Sequence, residues 1–499
     1  MYQPFIGLEV HIHLLTKTKV FCACPAAFGD EPNTHICPVC MGYPGVLPSL
    51  NMEALRMGCI VARSLNCRIP ERTWFERKQY FYPDMPKNYQ ISQSASPLGQ
   101  NGFMDLEGNG KTAPLKKRVR IRECHLEEDA GKMIHTGRVS LLDYNRAGVS
   151  LLEIVTEPDM ETGEDAELFI RRLRRMVRYL GVCDGNMEEG SLRADANVSV
   201  NLPGRGLGKK VEIKNLNSSR FVRLGLNYEI ARQGEMLDAG KAVVQETRLW
   251  NESRGRTEPM RTKENAQDYR YFPEPDLPVF APDAAFLASV EAALVELPQE
   301  RILRFGAEYG LSSGHADLLC DEKAEADYFE EAVAEAVARG LEKKDAASRI
   351  RCRLMSDLRH ILSREGLPPS AIASLKITPR RLASLVVLSA QGKISGRNAR
   401  QALEAVAAED RDPEDLIRER GWDLLTDPEQ IAEAVRGVYY DNGHLFEEAR
   451  EAGSPNRRRT LTAYLVGQVL ERTAGRADPG VAGELVKRRI EAPQPAANS

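Results

Sequence analysis

The sequence has no apolar run approaching the roughly 18 residues that a bilayer-spanning helix requires. Net charge is almost absent too, at −4 over 499 residues, so nucleic acid could be held only by local basic patches and not by a global field. No signal or transit segment is visible, because "MYQPFIGLEV" enters a strand pattern at once; a cytoplasmic location is the expectation. There is no repeat of fixed period and no G-x-S-x-G nucleophile elbow. "GNGKT" at 108–112 imitates a phosphate loop, but that motif needs glycine where the chain has Asp105. The "NG" pairs at 101 and 109 read instead as hairpin turns. Any use of ATP must therefore bypass a Walker loop.

What is present describes a globular chain of two to four domains, 42% hydrophobic and 28% charged. Up to about residue 280 short alternating strands and turns dominate, with a few helices. The clearest helix is "EDAELFIRRLRRMVRYL", with Thr162 as N-cap and Glu164, Asp165 and Glu167 in or near its first turn. Prolines at 273, 275, 278 and 282 mark a boundary. Beyond them Ala, Glu, Leu and Arg take over with helical periodicity, and "AAEDRDPEDLIRERGW" divides two helical units. The end, "EAPQPAANS", has a disordered composition. The expected class is α+β: a β-rich cradle domain with inserted helices and a small zinc knuckle, then an all-α helical domain and an α-helical tail domain. The expected boundaries are 1–293, 294–408 and 409–490, with a disordered end at 491–499.

Four of the ten cysteines are crowded into "CACPAAFGDEPNTHICPVC". Cys22, Cys24, Cys37 and Cys40 form a C-x-C and a C-x-x-C that can close a tetrahedron of thiolates around Zn²⁺ at about 2.3 Å. Gly42 follows, free to adopt the angles that turn amides toward sulfur. Disulfides are the alternative, disfavoured in a cytoplasmic chain. With every position filled by sulfur, such a site is structural, and a zinc hydrolase is excluded.

Acidic groups recur on strands. In "IGLEVHIHLL" one face carries Ile6, Leu8, Val10, Ile12 and Leu14, and the other Glu9, His11 and His13. In "RIRECHLEEDAGK", Glu123, His125 and Glu127 share one face while Cys124, Leu126 and Glu128 share the other, so one of the two adjacent glutamates must point inward. Glu153 in "LLEIVTE" sits among apolar neighbours and needs a partner, either arginine or a metal ion. Asp195 in "SLRADANVSV" and Glu212 in "KVEIKNLNSS" add further carboxylates. Clusters of this type suit Mg²⁺ or Mn²⁺, and those ions suit phosphates. Arg171, Arg172, Arg174, Arg175 and Arg178 crowd the amphipathic helix, where a solvated face paired with acids is the ordinary reading. Arg457, Arg458 and Arg459 after "GSPN" are the better candidates for RNA.

"IGLEVH", "FGDEPNTHICPVCMGYPGVLP", "RKQYFYPDMPKNYQISQ", "HLEEDAGK", "DYNRAGVSLLEIVTEPD", "MEEGSLRADANVSV", "EIKNLNS" and "DYRYFPEPDLP" together resemble the B-subunit family of the glutamyl-/aspartyl-tRNA amidotransferases. "KISGRNARQALE" and "YLVGQVLERTAGRADP" resemble that family's C-terminal, YqeY-like tRNA-binding part. The resemblance runs from residue 5 to about 490. It departs at "RRRTLTAYLVGQ", where many relatives carry a lysine- and glycine-rich version ending "GFLVGQ".

The resemblance implies a heterotrimer completed by two partners, an amidase (the A subunit) and a small C subunit. This chain would use ATP to phosphorylate the side-chain carboxylate of Glu-tRNA(Gln) or Asp-tRNA(Asn), and ammonia would then displace phosphate. Motif matching implies Glu9, His11, Glu128 and Glu153 as ligands of Mg²⁺ or Mn²⁺, with Asp195 and Glu212 at a second metal or the nucleotide. Lys87, with Glu128 beside it, is implied at the mouth of an ammonia passage, and Glu128, Lys87 and His11 as catalytic groups. Arg457, Arg458 and Arg459 fall in the implied tRNA-binding tail, and the zinc would be structural. No amidase-type serine and lysine set is visible, so ammonia must come from the partner. The rival expectation is a non-catalytic, zinc-stabilised RNA-binding scaffold.

Overall fold

The computed structural model describes residues 2–109, 114–260 and 269–492. Most of "GNGKT" and the turn expected at Asn109 and Gly110 lie outside the described residues, as do 493–499 of the expected disordered end. The chain forms two compact units, Met1–Leu297 and Pro298–Ser499.

In the first unit the strands are β1 (Gln3–His13), β2 (Glu76–Gln79), β3 (Tyr89–Ser92), β4 (Gly99–Asn109), β5 (Pro114–Glu128), β6 (Lys132–Thr136), β7 (Val139–Asp143), β8 (Ser150–Thr156), β9 (Leu192–Asn201), β10 (Val211–Lys214), β11 (Glu246–Asn251), β12 (Arg256–Pro259) and β13 (Phe272–Pro273). Eight of them make one mixed sheet in the order β12-β11-β10-β9-β1-β8-β5-β4, and β13-β2-β3 and β6-β7 form small sheets of their own. Only β10 and β11 pair in parallel within the large sheet.

One face of the large sheet is apolar because the two-residue period of each strand puts its branched residues there. Ile6, Leu8, Val10 and Ile12 of β1, Leu152 and Ile154 of β8, Ala196 and Val198 of β9 and Ile213 of β10 are all buried in a single core. Helices α1 (Met52–Ser64), α2 (Gly163–Tyr179) and α3 (Ser219–Asp238) cover that face: α1 packs on β4 and β5, and α3 on β9 and α2. Each fully buried leucine, isoleucine or phenylalanine stabilises the packing by roughly 1.5–3 kcal/mol. The expected Thr162 cap is present as a capping box, Asp165 N–H donating to Thr162 Oγ1 at 3.0 Å while Asp165 reaches back to the cap backbone.

Asn101-Gly102 is not a hairpin turn. It lies inside β4, with Asn101 in the left-handed region at φ 54°. There it faces Arg122, where the register of β5 against β8 shifts by one residue. A Cβ on Gly102 would sit 2.4 Å from Leu65 O and Cys67 Sγ, so the glycine is required by a close approach and not by a turn.

The second unit is all helical. One hydrophobic cluster gathers residues from Ile302 to Ile417 and another from Ile431 to Ile490. No described helix is long and apolar enough to cross a membrane.

Candidate active site and four-cysteine centre

The face of the large sheet opposite the helices carries the polar half of each strand. Register places Glu153 of β8 directly between His11 of β1 and His125 of β5. Glu153 Oε2 lies 3.2 Å from His11 Nε2 and 3.1 Å from His125 Nε2. Glu127, two residues along β5, approaches both rings at 3.8 Å. Lys78 of β2 stands 3.9 Å from Glu127, and Ser92 Oγ donates to Glu127 at 3.2 Å.

Burial alone would lower the His11 and His125 pKa values, but hydrogen bonding to Glu153 and the nearby carboxylate charges outweigh it and raise both. Burial would raise Glu153, yet the two imidazoles hold it well below the usual carboxylate range. Single ligand atoms of His11, Glu127 and Glu153 all lie within 4.8 Å of one another, the spacing that one cation can draw together. Two carboxylates and an imidazole suit Mn²⁺ or Mg²⁺. A pocket of about 360 Å³ opens beside them, lined by His11, Lys78, Glu127, Arg193, Lys214 and Tyr269 among others. Among the described residues, Arg193 Nε is buried at this pocket without a hydrogen-bond partner, as expected where a polar ligand binds.

Of the four residues expected as one ligand set, the structure brings together only His11 and Glu153. Glu128 does not join them. Consecutive strand residues point to opposite faces, so Glu127 takes the open face and Glu128 the other. Glu128 is ion-paired with Lys87, accepts from Ile91 N–H at 2.8 Å, and lines a separate cavity of about 400 Å³ with Phe21, Cys40, Tyr89 and Gly148. Lys87 and Glu128 are thus adjacent, as expected.

Glu9 shares the open face but accepts from Asn197 Nδ2 at 3.0 Å in a smaller pocket with Arg122 and Lys210. Burial and the charge of Glu153 raise its pKa, more than Lys210 and Asn197 lower it. Asp195 and Glu212 do not present a free cation site, because Lys214 Nζ sits between them at 2.6 and 2.9 Å. Sequence reasoning missed Lys78 and Lys214 and passed over His125 and Glu127; the alternation of "ECHLEE" was the available signal for the last two. Below the cluster Asp129 is held by His13 at 2.7 Å, Arg193 at 2.8 Å and Arg146 at 3.3 Å.

The sulfurs of Cys22, Cys24, Cys37 and Cys40 lie within 4.8 Å of one another, and all four are free thiols. This arrangement could hold a metal ion with no vacant position. Gly42 has φ 68°, and Cys37 N–H points to Cys40 Sγ at 3.2 Å.

The arginines of α2 serve partly as structural donors: Arg172 donates to Asp105 O and Arg174 to Gly185 O, each at 2.7 Å. Arg457, Arg458 and Arg459 are not in a loop. They form the first turn of the helix Pro455–Arg472, where Arg457 pairs with Glu448 and Arg458 with Glu491.

The family model described as "GatB/GatE catalytic domain" matches residues 4–288, and the one described as "GatB domain" matches 327–490. The chain belongs to the GatB family. Among its relatives in that family are proteins named as the B subunit of aspartyl/glutamyl-tRNA(Asn/Gln) amidotransferase. The one from Caldicellulosiruptor saccharolyticus is 43% identical over 493 residues, covering 98% of this chain and 99% of the relative. That from Carboxydothermus hydrogenoformans is 42% identical over 495 residues, with 98% and 99% covered. That from Gloeobacter violaceus is 44% identical over 506 residues, with 99% and 88% covered. The catalytic-domain match of this GatB-family chain contains the whole open face and the four-cysteine centre, and the GatB-domain match contains the Arg457–Arg459 turn.

Proposed function

We propose that this chain is the B subunit, the ligase component, of a tRNA-dependent amidotransferase, converting Glu-tRNA(Gln) or Asp-tRNA(Asn) to the amidated form with ATP. It would work in a heterotrimer with an amidase A subunit, which releases ammonia from glutamine, and a small C subunit. The observation that carries the reading is the pair of adjacent carboxylates on β5. Glu127 faces the His11–Glu153–His125 row, and Glu128 faces the Lys87 cavity.

A carboxylate is a poor acyl donor because oxide would have to leave, so it is first converted to an acyl phosphate. The side-chain oxygen attacks the terminal phosphorus of ATP and ADP departs. Ammonia then attacks the carbonyl carbon and phosphate departs. His11, Glu127 and Glu153 would hold Mg²⁺ or Mn²⁺, which supplies neutralisation of the phosphoryl oxygens. Lys78, Arg193 and Lys214 line the same pocket and supply fixed positive charge toward the phosphates. His125 hydrogen-bonds Glu153 from the side opposite His11 and fixes its orientation. On the far side of β5, Glu128 takes a proton from ammonium so that neutral ammonia is the nucleophile, with Lys87 holding the carboxylate in place. Gln90 connects the two sides: it lines the phosphate pocket and donates to Glu128 O at 2.6 Å. The four cysteines would hold structural Zn²⁺, and Arg457, Arg458 and Arg459 would contact tRNA phosphates.

The test supplies ammonium chloride, ATP, Mg²⁺ and Glu-tRNA(Gln) in place of glutamine. Wild type should form the amide, Glu153→Gln should lose ATP consumption, and Glu128→Ala should lose amide formation most severely at low ammonium. Absence of amide with wild type would leave a non-catalytic RNA-binding scaffold as the better reading.

A further inference from the structure

Among the described residues of the first unit, Lys19 is the largest polar side chain with no exposed surface, at 0%. It lies three residues before the first cysteine of the cluster, and its backbone N–H donates to Cys24 O at 3.0 Å. Its Nζ has three acceptors for three donors: His35 O at 2.7 Å, Tyr144 O at 3.2 Å and Cys40 Sγ at 3.8 Å. Among the described residues none of these partners is a carboxylate. Gly148 lies between Lys19 and Glu128, a Cβ there meeting Lys19 Cδ at 3.4 Å and Glu128 Oε2 at 3.7 Å, and the other oxygen of Glu128 is engaged by Lys87.

A buried ammonium without a counter-charge costs several kcal/mol, so a stable fold at such a place requires a compensating anion. Two neutral carbonyls satisfy donors but bring no net charge. Four thiolates around a divalent ion do: the centre carries two negative charges, spread over the sulfurs. The loop that supplies His35 O is itself fixed, with His35 N–H donating to Asn145 Oδ1 at 2.8 Å and Tyr144 N–H to Asn33 Oδ1 at 2.8 Å. The cage around Nζ is therefore built from both sides of the cysteine loop and held against Cys40.

We propose that Lys19 is the buried counter-ion of the four-cysteine centre, neutralising part of the charge that four thiolates leave on a divalent metal. This rests on the reading of that centre as a metal site. Lys19 acts through the sulfurs and not on the metal, so it is a positioning and charge-balancing residue. Two effects follow. Removing its charge loosens the metal, and it leaves the remaining thiolates more electron-rich and more reactive toward alkylating agents.

The experiment uses the full chain loaded with Zn²⁺ and, separately, with Co²⁺. Lys19→Gln keeps a donor for the carbonyls but removes the charge. It should surrender zinc to a chromogenic chelator roughly 10–100-fold faster than wild type, the usual cost of losing an outer partner of a metal ligand. Its Co²⁺ form should show a shifted sulfur-to-metal charge-transfer band, and its cysteines should alkylate faster. Lys17→Met, which removes an exposed charge two residues away, should behave as wild type.

Should Lys19→Gln fail to fold, Cys24→His decides the matter, because a neutral ligand in place of one thiolate lowers the charge of the centre by one. The double variant should then hold zinc about as well as Cys24→His alone. A double variant as defective as Lys19→Gln would mean that Lys19 only fills space, and the proposal falls. Zinc-loaded wild type and Lys19→Gln with equal release rates and identical Co²⁺ spectra would overturn the proposal alone. A wild-type chain that takes up neither ion would overturn the metal reading and the proposal together.

Discussion

Glu127 and Glu128 differ by one position and by the face of β5 to which they belong. The open-face cation should therefore depend on the first and not on the second. Titration of the full chain with Mn²⁺, followed by electron paramagnetic resonance, should show a tight site that is lost in Glu127→Gln and in Glu153→Gln. Glu128→Gln should keep the wild-type affinity within about twofold, since its carboxylate points into the Lys87 cavity. Loss of Mn²⁺ in Glu128→Gln would place that carboxylate among the ligands after all. Asp129 supports the same face from below. Burial would raise its pKa, but the hydrogen bond with His13 and the charges of Arg193 and Arg146 hold it far below the carboxylate range. A depressed folded pKa contributes stability that is fully present above the unfolded value, about 3.9, and is lost as pH falls through the folded value. Asp129→Asn should thus cost about 3 kcal/mol at pH 7, by urea denaturation. The gap between variant and wild type should narrow only below about pH 4; a gap that narrows between pH 8 and 5 would show that another group is responsible.

At the scale of elements, each site is suspended from a different support. Gly42 closes the second cysteine knuckle in the left-handed region, and a Cβ there would lie 2.7 Å from Lys87 Cγ and 3.0 Å from Lys87 Cα. Gly42→Ala should displace Lys87 from Glu128 and lower amide formation with ammonium by about two orders of magnitude, while Mn²⁺ binding on the opposite face persists. Thr162→Ala, which removes the α2 cap on the helical face, should cost about 1 kcal/mol of stability and leave both sites intact. The same supports explain what could be read in the sequence. Alternation in "IGLEVHIHLL" put Glu9 and His11 on the polar face of β1, because local period decides that; in "LLEIVTE" it put Glu153 among apolar neighbours, and the imidazoles of His11 and His125 that meet it come from two other strands. Alternation also separated Glu127 from Glu128, but it does not say which face of β5 turns to the core. That depends on strand order and on the bulge at Arg122, which are properties of long-range pairing. Lys214 was invisible as the partner of Asp195 and Glu212 for the same reason: β9 and β10 meet across a register that neither strand encodes alone. Asn101-Gly102 has the composition of a turn, yet close approach to Leu65 and Cys67 demanded it inside a strand.

For the molecule as a whole, the balance of charge sets how RNA can be held. With a net charge of −4 the chain repels a polyanion at long range, so tRNA binding must draw on local arginines whose acidic partners give way. The first turn of the helix Pro455–Arg472 has this character. Three cations at a helix N-terminus oppose the positive end of the dipole, and Glu448 and Glu491 relieve only Arg457 and Arg458. An incoming phosphate would be favoured by the helix end and by the arginines together. Both ion pairs are exposed and worth little, so exchanging a glutamate for a phosphate costs almost nothing. If each arginine meets a phosphate, replacing all three by glutamine should weaken tRNA binding and flatten the salt dependence. The slope of log affinity against log salt should fall by about two to three units in magnitude, from loss of roughly 0.7–0.9 counterions per contact. Binding measured by filter retention between low and physiological salt gives that slope directly. Mn²⁺ affinity of the same variant should be unchanged, because the cation ligands and these arginines belong to different units. A slope equal to that of wild type would mean that the arginines touch no phosphate, and the RNA would then have to be held by other basic groups of the chain.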